Sequence, residues 1–178
     1  MERIDIVLLT CNRLALLKQV ITGFKERLQT PYRLIVINNN SKDGTTEYLR
    51  QLKVVSSYPV VIIHNKDGEE KGLCRAYTQS LDFVESELFI TTQDDILIPD
   101  LFPDILVQLI DLFNRNPDFG AICLRTADQK RGPVNNEELI YRRINTCPGV
   151  FRIQKRLDML KIGGFGSAKR WEDSEMVR

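Results

Sequence analysis

Short apolar runs alternate with amphipathic helical patterns from residue 4 to residue 124, and this alternation restricts the fold more than any other sequence feature. Residues 4–10 form a β-branched and leucine-rich run that is typical of a buried strand. From Leu14 onward, apolar residues recur every three or four positions, which predicts an amphipathic helix. The same order then recurs: further strands are predicted at 34–37, 60–63, 88–92 and 119–124, and further helices at 45–52, 72–84 and 101–113.

Alternating strands and helices of this size predict an α/β fold with a mainly parallel central sheet, right-handed crossovers and flanking helices, as in Rossmann-like domains. A chain of 178 residues is long enough for one substantial core, so we expect residues 1–178 to form a single domain. Residues 171–178 stop at the start of an apparent helix. We therefore expect the domain to be short at its C-terminus.

The charge balance and the cysteine pattern argue against several partners and cofactors. The 25 basic and 24 acidic residues leave a net charge of +1, so the sequence lacks the broad positive field that nucleic-acid binding needs. The cysteines show no C-x-x-C spacing and the single histidine has no ligand-like neighbours, which predicts a reduced intracellular protein without structural zinc. The four cysteines are Cys11, Cys74, Cys123 and Cys147.

The N-terminus carries charges at Glu2, Arg3 and Asp5, where a signal peptide would need its apolar stretch. No apolar run in the sequence approaches the roughly 20 residues of a membrane-spanning helix. We therefore predict a cytoplasmic protein whose contact with membranes is at most peripheral.

Polar segments follow four of the predicted strands, and α/β sheets bind ligands beyond the carboxyl ends of their strands. These segments are 10–13, 38–45, 64–75 and 92–99. In the last one, Asp94 and Asp95 place two adjacent carboxylates directly after a predicted buried strand. A Mg²⁺ or Mn²⁺ ion would relieve their repulsion, because it prefers oxygen ligands and can bridge carboxylates to substrate phosphates. The alternative is a solvated turn in which Asp95 caps a neighbouring group.

Two asparagines and two arginines complete the set of candidate ligand-binding residues in these segments. Asn38 and Asn39 could offer paired amide donors and acceptors to a base or ribose, although the same run is also typical of a turn that ends in a helix cap. Arg13 and Arg75 lie in two other segments of the same sheet edge and could balance a diphosphate by charge-assisted hydrogen bonds.

Together the four segments resemble the inverting family 2 glycosyltransferases, which have the nucleotide-diphospho-sugar transferase fold called GT-A. Residues 6–13 (IVLLTCNR) resemble the family's opening strand ending in T-Y-N-R, with Cys11 at the tyrosine position. Residues 35–45 (IVINNNSKDGT) resemble its V-V-D-N-x-S-x-D-G-T segment, with Asn38 where an aspartate is common. The resemblance covers nearly the whole chain.

The resemblance extends to the segments after the third and fourth predicted strands. Residues 72–75 are similar to the stretch ending in A-R-N, and residues 88–99 to the strand leading into D-x-D. Aligned through Pro99, Asp94 falls on the last aspartate of D-x-D and Thr92 replaces the first, so the motif is partial.

The resemblance implies a donor site for a UDP-, GDP- or dTDP-sugar, with Mn²⁺ or Mg²⁺ held by Asp94 and aided by Asp95. It also implies an acceptor hydroxyl on a glycan, a glycolipid or a protein, while the charge balance argues against nucleic acid as a partner. The donor-binding residues it implies are Thr10, Cys11, Asn12, Arg13, Asn38, Asn39, Arg75, Asp94 and Asp95.

The C-terminal segment resembles the acceptor side of the family. Residues 163–165 (GGF) and 171–176 (WEDSEM) are similar to the G-G-F segment and to the E-D pair that begins a helix beside the acceptor. A sugar hydroxyl needs a base at neutral pH, and by this resemblance Asp173 is the base, with Glu172 as the second choice. The alternative is an acidic helix N-terminus that the helix dipole favours.

The predicted activity is transfer of a sugar from a nucleoside-diphosphate sugar to an acceptor hydroxyl, with inversion and with a metal ion. A sugar nucleotidyltransferase would be expected to carry a glycine-rich phosphate loop after the first strand, and residues 10–14 contain no glycine. A G-x-G-x-x-G dinucleotide motif does not occur either. The stronger alternative is a non-catalytic nucleotide-sugar-binding protein, because Asn38 and Thr92 depart from the family's pattern.

Overall fold

The computed structural model describes residues 3–66, 72–98, 104–124 and 151–165, which form one six-stranded sheet with flanking helices. The elements in chain order are β1 (Ile4–Thr10), α1 (Leu14–Arg27), β2 (Tyr32–Asn39), α2 (Thr45–Val55), β3 (Val60–Asn65), α3 (Leu73–Ser80), β4 (Leu88–Gln93), α4 (Ile105–Arg115), β5 (Ala121–Cys123), β6 (Arg152–Lys155) and α5 (Arg156–Lys161).

The sheet has the strand order β3-β2-β1-β4-β6-β5. Strands β1 to β4 are parallel, whereas β6 runs antiparallel to β4 and β5 antiparallel to β6. The predicted α/β fold with a mainly parallel sheet is therefore confirmed. From β1 the chain first adds β2 and β3 on one side and then β4 on the other, so the topology switches between β1 and β4. The crevice at the carboxyl ends of these two strands is where such sheets bind ligands.

Strands β1 and β2 are buried on both faces, as expected for parallel strands covered by helices. On one face, Ile6 and Leu8 of β1 belong to a core cluster that includes Leu17 and Phe24 of α1. On the other face, Val7 of β1 belongs to a second cluster with residues of α3 and α5. The two clusters fix the sheet between two helical layers and hold its strand ends in place.

A buried ion pair stabilises the opposite, amino-terminal edge of the parallel strands. Arg33 donates from Nε and Nη2 to the two carboxylate oxygens of Asp5, each at 2.8 Å. The backbone N–H groups of Glu85 and Ser86 donate to Asp5 Oδ2 at 2.6 and 3.1 Å. Burial alone would raise the pKa of Asp5, but the hydrogen bonds and the Arg33 charge outweigh it, so this pKa lies below its ordinary value.

Most predicted elements are present, with corrected ends. Helix α3 ends at Ser80 instead of residue 84, and β5 is limited to three residues. Helix α4 is described from Ile105, after Asp104 whose carboxylate accepts the Leu106 N–H, and residues 101–103 of the predicted helix lie outside the described residues. Strand β6 and helix α5 were not predicted.

The described ranges contain three of the four cysteines and five helices. Cys11 and Cys74 are free, whereas Cys123 is disulfide-bonded, so the expectation of reduced cysteines is wrong at Cys123. None of the helices within the described ranges is long and apolar enough to cross a membrane.

Candidate functional site

Three neighbouring strand ends bring Asn38, Thr10 and Asp94 side by side at the carboxyl edge of the sheet. Thr10 of β1 is in register with Asn38 of β2, and Leu9 is in register with Gln93, the last residue of β4. The Thr10 hydroxyl donates to Asp94 Oδ2 at 2.6 Å across this junction. The site is therefore built directly on the topological switch between β1 and β4.

Arg13 faces both carboxylates that follow β4. Its Nη1 lies 2.9 Å from Asp95 Oδ2 and 3.4 Å from Asp94 Oδ1. The side chain of Asp94 is 3% exposed, whereas those of Arg13 and Asp95 are 48% and 42% exposed. The cluster thus has one buried carboxylate at its base and two half-exposed charged groups at its mouth.

The buried position of Asp94 shifts the proton affinities in the cluster. Burial raises the pKa of Asp94, with a further push from the Asp95 charge, and the opposing bonds from Thr10 and Arg13 do not fully offset this. The Asp94 charge in turn raises the pKa of Arg13, so the guanidinium remains a cation. A cation beside a buried carboxylate stabilises its charged form, so Asp94 is a candidate residue for binding a cation.

Thr92, which stands at the first position of the partial D-x-D motif, is fully buried. Its hydroxyl makes a long 3.5 Å contact with the Gln93 carbonyl, and its own carbonyl accepts the Tyr77 hydroxyl at 2.8 Å. Thr92 therefore supports the end of β4 from inside the protein and offers no oxygen to a ligand in the crevice.

The loop after β1 is fixed by bonds to the loop after β2. Asn12 adopts a φ of 52°; its N–H donates to the Ser41 hydroxyl at 2.9 Å and its Oδ1 accepts the Lys42 N–H at 2.7 Å. Asp43 Oδ2 accepts the N–H of Leu14, the first residue of α1, at 2.8 Å. Asn12 is thus a scaffold residue whose bonds fix the backbone on either side of Arg13.

Cys11 is exposed at the mouth of this loop and donates from its thiol to the Asn39 carbonyl at 3.2 Å. The family's motif has an aromatic ring here, so Cys11 leaves more open space beside the crevice. Its exposure also makes it a natural reporter for any ligand that covers the loop.

Asn38 is buried, and its side-chain amide is engaged within the protein. Its Oδ1 accepts the Ser41 N–H at 3.0 Å, and its Nδ2 donates to the Thr46 hydroxyl at 2.9 Å. The same Nδ2 lies 3.3 Å from Nδ1 of His64. Burial, and then the charge of Arg50, lower the pKa of His64, so a neutral ring can accept this bond. The two contacts of Nδ2 leave this amide nitrogen engaged, whereas Oδ1, with one bond, keeps a second lone pair that could accept from a base.

Asn39 lies at the end of β2, where its Oδ1 accepts a hydrogen bond from Asn65 Nδ2 at 2.9 Å. Beside it, a cleft of about 560 Å³ opens between the ends of β2 and β3. Three cationic side chains and no carboxylate line this cleft, so its charge suits a phosphate-bearing ligand. The lining residues are Asn38, Asn40, Ser41, Lys42, Thr46, Arg50, His64, Asn65 and Lys66. Thr46 and Arg50 lie outside the predicted ligand-binding segments, because nothing local in the sequence brings α2 against the end of β3. His64 and Asn65 lie within the predicted segment 64–75 but were not singled out as site residues.

Arg75 is exposed near the start of α3. Within the described part of the chain it makes no ion pair with Asp94 or Asp95, unlike Arg13. Its assignment to the donor site rests on the motif alone.

Asp94 and Asp95 are the carboxylates of the crevice that could hold a metal ion. Across the described ranges, no group of three or more His, Cys, Asp and Glu side chains could hold a metal ion. Mg²⁺ and Mn²⁺, however, are commonly held by one or two carboxylates while substrate phosphates and water complete the coordination. The pair fits an ion of this kind, provided that a phosphate-bearing ligand supplies the other oxygens.

The two residues expected to act as the base, Asp173 and Glu172, lie outside the described residues. The preceding G-G-F segment is described. Gly163 and Gly164 have φ values of 81° and 99°, and a Cβ on Gly164 would meet Thr78 at 2.6 Å. Phe165 is buried with its ring 5.4 Å from that of Tyr77. The segment is therefore anchored on α3, whose Tyr77 hydroxyl also binds the end of β4.

Comparisons with known proteins agree with this architecture. The structure superposes on the mannosyltransferase PcManGT from Pyrobaculum calidifontis, solved with GDP-Man and Mn²⁺, with a TM-score of 0.77 and 18% identity over 98% of this chain and 50% of that chain. It superposes on S. aureus TarS 1–349 in complex with UDP-GlcNAc with a TM-score of 0.74 and 14% identity, over 99% and 52% of the two chains. The chain thus spans about half the length of these structures. No curated protein sequence matches it.

The sheet order, the switch between β1 and β4 and these superpositions define a GT-A fold domain. The family model for glycosyl transferase family 2 matches residues 5–167, which is most of the chain. The chain therefore belongs to glycosyl transferase family 2.

Proposed function

We propose that this domain transfers a sugar from a nucleoside-diphosphate sugar to an acceptor hydroxyl, with inversion at the anomeric carbon and with a divalent metal ion. The observation that carries the proposal is the meeting of Thr10, Arg13, Asp94 and Asp95 at the switch between β1 and β4. Family membership and the GT-A fold support the reaction class. The neighbours solved with GDP-Man and with UDP-GlcNAc support a nucleotide-sugar donor.

The donor's nucleoside would occupy the cleft beside Asn38, and its diphosphate would lie toward Arg13. The hydrogen bond from the Asn12 N–H to the hydroxyl of Ser41, which lines the cleft, joins the loop after β1 to the loop after β2. The nucleoside and the diphosphate of one donor would therefore contact two loops that are held together. Arg75, exposed near the start of α3, would add a second cation to the diphosphate. Guanidinium groups suit this role because they bind phosphate oxygens in pairs.

Asp94 would hold the metal ion, with Asp95 as a second ligand. When bound, Mn²⁺ or Mg²⁺ supplies positive charge to the diphosphate that leaves. Thr10 orients the Asp94 carboxylate through its 2.6 Å bond. Arg13 would contribute a second positive charge at the same mouth, which would stabilise the negative charge that develops on the diphosphate.

Asp173 would remove the proton of the acceptor hydroxyl as it attacks the anomeric carbon, and Glu172 is the second candidate. This assignment rests on the resemblance of residues 171–176 to the family's E-D segment. The G-G-F segment that precedes them is anchored on α3 through Gly164 and Phe165. The acceptor would be a hydroxyl of a glycan, a glycolipid or a protein. We propose that the activity is cytoplasmic, with membrane contact at most peripheral, and that the disulfide at Cys123 is an exception to the reduced state usual in that compartment.

The direct test measures nucleoside diphosphate released from UDP-, GDP- and dTDP-sugars in the presence of Mn²⁺. The wild type should release it from one donor class, while Asp94→Asn and Asp173→Asn should each lower the rate by at least about tenfold. Asp111→Asn, the same exchange at a half-exposed position on α4, is the matched control and should keep the wild-type rate. Full activity in both aspartate variants would refute the mechanism.

A non-catalytic nucleotide-sugar-binding protein is the second candidate, and buried Thr92 in place of an aspartate is the observation that favours it. Such a protein would bind one of the same donors, detected as a rise in thermal stability, and would release no nucleoside diphosphate. The two measurements together therefore separate an enzyme from a binder.

A further inference from the structure

Arg13 occupies the face of the carboxylate pair that a metal ion would need. One nitrogen, Nη1, contacts Asp95 Oδ2 and Asp94 Oδ1 at the same time. The other Asp94 oxygen, Oδ2, is already bonded to the Thr10 hydroxyl. A second cation placed on this pair would therefore stand next to the guanidinium and repel it.

The backbone of Arg13 is fixed, whereas its side chain is free to turn. Its carbonyl accepts the Leu17 N–H at 2.9 Å, and the following residue, Leu14, is held by Asp43. The side chain is 48% exposed and makes no cap bond to α1. The guanidinium can therefore leave the carboxylates by rotation about its side-chain bonds, without movement of the loop.

A diphosphate at the mouth of the crevice would accept two parallel hydrogen bonds from the guanidinium. The two carboxylates, in contrast, share the single nitrogen Nη1. On the basis of the proposed function, we propose that Arg13 occupies Asp94 and Asp95 as an internal cation and moves onto the donor's diphosphate when the donor binds, so that the metal ion and the donor bind cooperatively. The metal ion alone then competes with Arg13 and binds weakly. By linkage, the metal raises the affinity for the nucleotide by the same factor as the nucleotide raises the affinity for the metal.

The exchange is tested by Mn²⁺ titrations followed through the paramagnetic resonance signal of the free ion, without turnover. The wild type, Arg13→Gln, Arg13→Lys and the control Arg115→Gln are compared alone and with UDP or GDP, after thermal unfolding has shown that each is folded. Arg13→Gln should bind Mn²⁺ alone about tenfold more tightly than the wild type and should gain less from the nucleotide, in line with ordinary coupling between sites. Arg13→Lys keeps the positive charge without the bidentate guanidinium, so its affinity for Mn²⁺ should lie between those of the wild type and Arg13→Gln. Arg115→Gln should bind Mn²⁺ as the wild type does.

Two further outcomes separate this inference from the proposed function. If Asp94→Asn loses Mn²⁺ but Arg13→Gln binds it no more tightly than the wild type, the exchange is refuted and the metal role of Asp94 stands. If neither the wild type nor Arg13→Gln binds Mn²⁺ with either nucleotide, the metal role of Asp94 is wrong and the exchange with it.

Discussion

Replacing Thr10 with valine tests whether the charged form of Asp94 is held by a buried hydroxyl. Thr10 is 1% exposed and Asp94 2%, and their 2.6 Å bond is the shortest contact that Asp94 makes among the described residues. A hydrogen bond to a charged group contributes about 1.5–3 kcal/mol. The Thr10→Val variant keeps the β-branched shape but loses the donor, so we expect it to lose about that amount of unfolding free energy at neutral pH.

For a domain of this length, a loss of this size lowers Tm by roughly 3–12 °C. The assay is chemical and thermal unfolding at neutral pH and again near pH 4, where protonation of Asp94 should shrink the difference. Thr22→Val is the matched control, because Thr22 is exposed on α1 and the same exchange there should change stability little. An unchanged unfolding free energy in Thr10→Val would refute the view that this hydroxyl supports a buried charge.

Three further predictions concern the rest of the fold and the crevice. The pKa of Asp5 is lowered in the folded state, so its contribution to stability is present above its unfolded pKa of 3.8 and is lost as the pH falls through the folded value. Asp5→Asn should therefore be less stable than the wild type at neutral pH. In acid, the unfolding free energies of the two proteins, measured against pH, should converge. Gly164→Ala should destabilise by about 1–3 kcal/mol, because a Cβ would clash with Thr78 at a φ of 99°, whereas Gly120→Ala, with nothing within 4 Å, should be near neutral in the same unfolding assay. Alkylation of exposed Cys11, followed by mass spectrometry, should slow when a bound nucleotide sugar and Mn²⁺ cover the loop, and an unchanged rate would contradict that placement.

The parallel core of the fold could be predicted from the sequence because its signals are local. Strands β1 and β2 are nearly continuous apolar runs, and α1 shows a clear three- and four-residue spacing. Strand β6 could not be found in this way. Its residues Arg152 and Gln154 are buried polar side chains beside Ile153, so the strand lacks the hydrophobic pattern on which prediction depends.

The candidate site was predictable in its position but not in its contacts. Residues directly after parallel strands must meet at one edge, which brought Thr10, Arg13 and Asp94 together. Their pairing was different from the expectation, because Arg13 contacts the carboxylates that were predicted to meet a metal ion. The engagement of Asn38 by His64 depends on the register of β2 and β3, which a single sequence does not encode in any local pattern.

Binding of a nucleotide sugar at Asp94 is the central claim, and a thermal-shift comparison of the wild type with Asp94→Asn tests it most directly. UDP-, GDP- and dTDP-sugars are each added with and without Mn²⁺. A donor present at about 100 times its Kd stabilises the folded state by about 2.7 kcal/mol, so the wild type should show a clear rise in Tm with one donor class that is larger with Mn²⁺. Asp94→Asn should lose the Mn²⁺-dependent part of this rise. No rise with any donor, or an equal Mn²⁺-dependent rise in Asp94→Asn, would contradict the account.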